Sequence, residues 1–123
     1  MSTGPVRQAF VHDAVVTLAD GDVRSPGAAI TRALCGHWDH EPPCPLAPHH
    51  TGVQRHGDEV RLRVLFAADP TAEAEVRGRI EAALNQASLT GPDGVTTHWR
   101  LRSARPGRLR ADEATHAGQL VRA

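Results

Sequence analysis

Two cysteines and four histidines crowd into sixteen residues of this chain, in the order Cys35, His37, His40, Cys44, His49 and His50. They are both of its cysteines and half of its eight histidines. Thiolate sulfur and neutral imidazole nitrogen are the ligand pair preferred by zinc and other borderline-soft ions. The spacings are short enough to close around one ion. Cys35 and His37 flank Gly36, Cys44 brings the second thiolate, and His40, His49 or His50 completes the set. Such a site has Zn–S distances of about 2.3 Å and Zn–N distances of about 2.0–2.1 Å. Spacing alone does not choose among the three histidines. A zinc ion is the expected cofactor. Copper follows it, although Met1 is the only thioether in the chain.

Four protein ligands would make a closed, structural site, and three would leave a position for water, substrate or a partner's ligand. The open case describes a metal-dependent enzyme in which Glu41 is the candidate general base beside metal-bound water. Trp38 and Asp39 interleave with the ligands, the first as a shield or a cover for the sheet, the second as an outer-shell partner that orients an imidazole. A competing reading treats Cys35 as a small buried apolar residue at a helix end and the histidines as ordinary loop residues.

The elements that would position these residues can be read from periodicity. Residues 10–18 alternate as a first strand and stop at the turn Asp20-Gly21-Asp22. Ser25 and Pro26 then supply a cap and a first-turn proline for a helix of about ten residues, with Ile30, Ala33 and Leu34 on one face, that delivers Cys35 at its last turn. Residues 37–50 hold four prolines and no periodicity, which predicts a long loop that a metal would order. A hairpin follows over residues 52–66, with a turn at Gly57-Asp58 and a buried face of Val60, Leu62, Val64 and Phe66. Asp69-Pro70 opens a second helix through about residue 88, carrying Val76, Ile80, Ala83 and Leu84. Residues 95–103 alternate as a fourth strand, and residues 112–121 form a tail or a short terminal helix with Ala117, Leu120 and Val121 available to dock.

Strand, helix, strand, strand, helix, strand resembles the ferredoxin-like split βαβ arrangement: an α+β sandwich whose antiparallel sheet carries two helices on one face. The expected organisation is one ferredoxin-like domain over residues 9–104, with the Cys/His loop 35–50 inserted in it, and a C-terminal segment 105–123. Metal-transporting domains share this topology, but their paired cysteines precede the first helix, whereas this cluster follows it. The set Cys35, His37, Cys44 and His49 is also similar to the ligand pairs of Rieske two-iron two-sulfur proteins. It departs from that family because the two halves lie close together here.

Composition narrows the function classes. Fourteen basic residues, all arginine, balance fourteen acidic ones, so bulk electrostatics do not favour nucleic acid. Arg61, Arg63, His98, Arg100 and Arg102 are expected to share the sheet face left open by the helices. RNA readers of this topology stack bases on aromatics, which make up 3% of the chain, so that face is read as solvated or as a surface for a homodimer or protein partner. The first residues lack an apolar signal core and no run is long enough for a membrane span, which points to a cytoplasmic protein with reduced thiols. The resulting expectation is a small zinc-binding protein whose metal serves structure, metal handling or partner binding, with the metalloenzyme as the alternative.

Overall fold

The computed structural model describes residues 7–35 and 47–123. His37, Trp38, Asp39, His40, Glu41 and Cys44 lie outside the described residues. Within those described, the chain is a mixed α+β protein with six strands in antiparallel sheets and three helices.

β1 (Gln8–Thr17), β2 (His49–His56), β3 (Glu59–Ala68) and β6 (Arg100–Gly107) form one sheet in the order β2-β3-β1-β6. The central β1·β3 pairing is antiparallel, with Phe10 opposite Phe66 and Val16 opposite Val60. α1 (Ser25–Cys35) connects β1 to β2, and α2 (Glu73–Asn85) follows β3 after a 3-10 turn at Pro70–Ala72. Asp69 caps that turn by accepting from the Thr71 amide at 2.9 Å.

Alternation along the strands sorts side chains to two faces. Ala14, Val16, Val60, Leu62, Val64 and Phe66 meet Ile30 and Leu34 of α1 and Val76, Ile80 and Leu84 of α2 in one buried cluster. Each of these large side chains contributes about 1.5–3 kcal/mol by leaving water. The opposite face is not open. α3 (Ala114–Arg122) packs against β1 and β3 there. Its Ala117 is buried, as are Val11, Leu65 and Ala67, which stand outside the main cluster. The terminal helix therefore docks, and part of the face assigned to solvent or a partner is covered by the chain itself.

Two sequence expectations change. The second helix stops at Asn85 instead of residue 88, because Ala87 takes a left-handed conformation at φ 63° and its carbonyl accepts from the Trp99 amide at 2.9 Å. The expected fourth strand, residues 95–103, is two strands. β5 (Thr96–His98) pairs with β4 (Ser88–Thr90) in a separate hairpin, and β6 begins after Trp99. Trp99 makes the break: its indole is buried and donates to the Leu84 carbonyl at 2.9 Å, so the chain turns inward at that residue. His98 consequently belongs to the small hairpin and not to the arginine face. Gly21, at φ 106°, lies where a Cβ would meet Thr97 Oγ1 at 2.7 Å, so the first turn and the hairpin pack only with glycine there. Among the described residues, no helix is long and apolar enough to cross a membrane.

Candidate functional site

The three described members of the Cys/His set sit at the two ends of the undescribed stretch. Cys35 is the last residue of α1, and His49 and His50 open β2. The histidines had been placed in a loop; they are strand residues, paired with Phe66 and Leu65 respectively. Opposed residues of an antiparallel pair share a face. His49 therefore joins Phe66 on the α1 side, and His50 joins Leu65 on the α3 side.

On the α1 side, the two ring nitrogens of His49 are both engaged. Nδ1 lies 3.2 Å from the Ala47 carbonyl and Nε2 lies 3.1 Å from Thr31 Oγ1. A carbonyl only accepts, so Nδ1 carries the proton, and the Nε2 lone pair accepts from the Thr31 hydroxyl. Burial pushes the His49 pKa down, against a smaller upward effect of the Ala47 hydrogen bond and a further lowering by His50. Its ring is thus held neutral with a defined basic nitrogen. A cleft of about 330 Å³ between α1 and β2 is lined by Gly27, Thr31, His49 and Thr51. Thr51 Oγ1 is buried without a hydrogen-bond partner among the described residues. Thr31 is one helical turn before Cys35, so the contact to His49 brings the end of α1 to the start of β2. Cys35 is disulfide-bonded, where the sequence reading took it as a thiolate.

On the α3 side, His50 and His116 face each other with ring centroids 4.6 Å apart and planes inclined by 51°. They stand at one wall of a cleft of about 740 Å³ that also takes in Asp13, Arg63, Arg105 and Glu113. Arg63 governs its centre. Nε and Nη2 donate to the two carboxylate oxygens of Glu113 at 2.7 Å each, Nη1 donates to Asp13 Oδ1 at 3.0 Å, and Nη2 also reaches the Arg108 carbonyl. This fork is the strong form of a charge-assisted pair. It holds the Glu113 carboxyl down at about 2 and pushes the Arg63 pKa up. A Cβ at Gly107 would collide with the Asp13 carboxylate, so glycine at the end of β6 gives Asp13 its place beside Arg63. Arg61 instead pairs with Glu59 at 3.0 Å.

A third cluster escaped the sequence reading, which saw His12 only as a strand residue. His12 is buried among apolar side chains, with Arg77 Nη1 donating to its Nδ1 at 2.9 Å and also to the Val11 carbonyl at 2.7 Å. Its Nε2 lies 3.0 Å from Glu81 Oε2 without the alignment of a hydrogen bond. Burial and then Arg77 push its pKa down, opposed by Glu81. Arg77 also lies over the Phe10 and Phe66 rings at 5.8 and 5.3 Å. The signal was present in the pattern: a histidine at a core-facing position of an apolar strand must find polar partners inside. The cluster joins α2 to β1.

Among the described residues, no three His, Cys, Asp or Glu side chains converge in a group that could hold a metal ion. The chain matches no protein-family model and no curated protein.

Proposed function

We propose that the chain is a small zinc-binding protein whose ion is held by residues of the 35–50 segment, on a ferredoxin-like frame and in a reducing, cytoplasmic setting. The observation that carries the proposal is the state of His49: its Nδ1–H is anchored on a backbone carbonyl while its Nε2 lone pair, which an ion would take over from the Thr31 hydroxyl, lies beside the helix that ends in Cys35. An imidazole whose second nitrogen is fixed by a carbonyl is how proteins orient histidine toward a metal. The Thr31 contact supports closure of the segment on itself, since it brings the α1 end and the β2 start together. Cys35, with Cys44 as the other thiolate, supplies sulfur once its disulfide is reduced. The ion serves structure, metal handling or partner binding. Sheet order β2-β3-β1-β6, with α1 and α2 on one face, supports the ferredoxin-like frame. The opposite orientation of His50 favours His37, His40 and His49 as the nitrogen donors.

Protein purified under reducing conditions without chelator should carry close to one zinc per chain. Cys35→Ser and Cys44→Ser should each abolish tight binding in a chelator competition. Full zinc retained in both cysteine variants would overturn the proposal. Visible absorption with iron and sulfide present would replace zinc by a two-iron cluster.

A further inference from the structure

We infer that His50 and His116 form a second metal site on the opposite side of β2, a two-imidazole clamp for a divalent transition ion such as Zn²⁺ or Cu²⁺ that fastens α3 to the sheet. The inference removes His50 from the thiolate set but does not depend on that set binding an ion.

The geometry suits it. Two imidazoles bound to one ion at about 2.0–2.1 Å and a tetrahedral angle have ring centroids about 5 Å apart. The observed separation is 4.6 Å, and the 51° inclination is far from flat stacking. Small rotations about the side-chain bonds would turn one nitrogen of each ring to a shared point.

The nitrogens are also unclaimed. His49 uses both of its ring nitrogens, and His12 has Nδ1 held by Arg77 and Nε2 beside Glu81. Among the described residues, neither the His50 ring nor the His116 ring makes a hydrogen bond to a protein group. His50 is exposed and His116 half-buried, so an ion can reach them from the cleft.

The protein supplies two ligands and water the rest. Glu113 lies one turn before His116, where a third ligand would come from, but both of its oxygens are committed to Arg63. A site with two protein ligands binds more weakly than a closed four-ligand site. Its ligands come from different elements, so occupancy holds β2 and α3 together and stabilises the docked state by mass action.

The test uses the oxidised protein, in which Cys35 is disulfide-bonded and thiolate ligation is removed. Zinc alone is titrated near neutral pH, following both heat of binding and Tm. One saturable ion and a zinc-dependent rise in Tm are expected. His50→Gln and His116→Gln should each weaken binding by at least about tenfold, while His98→Gln, on the exposed β4–β5 hairpin, leaves it unchanged. Each variant's Tm with zinc is compared with its own zinc-free Tm, so a variant of lower stability still reports. Undiminished binding by His116→Gln, loss of binding in His98→Gln, or absence of saturable binding in the oxidised wild type would each overturn the clamp. Failure of the 35–50 site reads out separately, as no additional tight zinc on reduction.

Discussion

His49 and His50 are neighbours in the chain and strangers in the fold. The first faces α1, is partly buried, and spends both nitrogens on Ala47 and Thr31. The second faces α3, is exposed, and its ring lies against the His116 imidazole. One peptide bond separates them, yet strand pleating turns their side chains toward different helices and different chemistry. The anchoring of the two sides differs as well. α1 is set into the main apolar cluster through Ala29, Ile30 and Leu34, whereas α3 has Ala117 as its one fully buried side chain and relies on the Arg63 fork to Glu113. Apolar burial makes the first side part of the cooperative fold. A charged latch makes the second side separable from it.

The largest effect should come from cutting the α1 anchor. Leu34 is 2% exposed, and Leu34→Ala leaves a cavity between α1 and the sheet. Denaturant unfolding should show a loss of about 3 kcal/mol in a single cooperative transition. If amides of α1 exchanged early while the sheet stayed protected, α1 would be no more integral than α3, and the contrast would fail.

Cutting the latch should be milder and local. Arg63→Ala removes the partner of Asp13 and Glu113 at a site that is neither dry nor fully exposed. A cost of about 2 kcal/mol is expected, between the values for surface and buried pairs. Hydrogen exchange should accelerate in α3 and hardly in β1, β3 or α1. The same latch sets an acid response. The folded Glu113 pKa of about 2 lies below its ordinary 4.5, so the folded state binds fewer protons at this group. Its contribution is fully present above about 4.5 and is lost as pH falls through about 2. Near-neutral pH should leave α3 docked, acid should release it, and Arg63→Ala should erase that acid step. An α3 whose exchange is indifferent to Arg63 would show that Ala117 and its neighbours hold the helix alone.

These two sides were not equally legible. The α1 side follows from patterns that sequence carries well: Ser25-Pro26 starts the helix, Ile30 and Leu34 face inward, and alternation in residues 60–66 marks the core face of β3. The Gly57 turn, with φ 62°, also lies where the hairpin was expected. What failed was anything set by distant partners. Residues 47–50 contain no strong strand former, and His49 and His50 became strand because β3 offered a free edge to pair with. Trp99 sits in an alternating run that reads as one strand, and only the Leu84 carbonyl fifteen residues away explains the break. Arg63 looked like surface charge because its ligands, Asp13 and Glu113, lie 50 residues away in either direction. Ala117, Leu120 and Val121 mark the terminal run as able to dock, but the face it covers depended on that same pairing. His37, His40 and Cys44 lie outside the described residues, and their part in the site rests on their type and spacing.

The smallest expected effect bears most directly on the two histidines. Thr31→Val keeps the shape of the side chain and removes the hydroxyl that donates to His49 Nε2 at 3.1 Å. Loss of one neutral hydrogen bond should lower stability by about 1 kcal/mol. Nitrogen-15 NMR should still find the proton on Nδ1, because the Ala47 carbonyl is untouched. If Nε2 is the nitrogen that zinc takes, Thr31 competes with the ion for the same lone pair. The reduced Thr31→Val protein should then bind zinc more tightly, by up to about fivefold, the equivalent of the hydrogen bond no longer broken on binding. Zinc binding by the oxidised protein, assigned to His50 and His116, should not change, since Thr31 is on the other face of β2. A fall in zinc affinity of the reduced protein would mean that Thr31 orients His49 rather than competing with the ion. A change in the oxidised protein would mean that the two histidines are coupled through the strand after all.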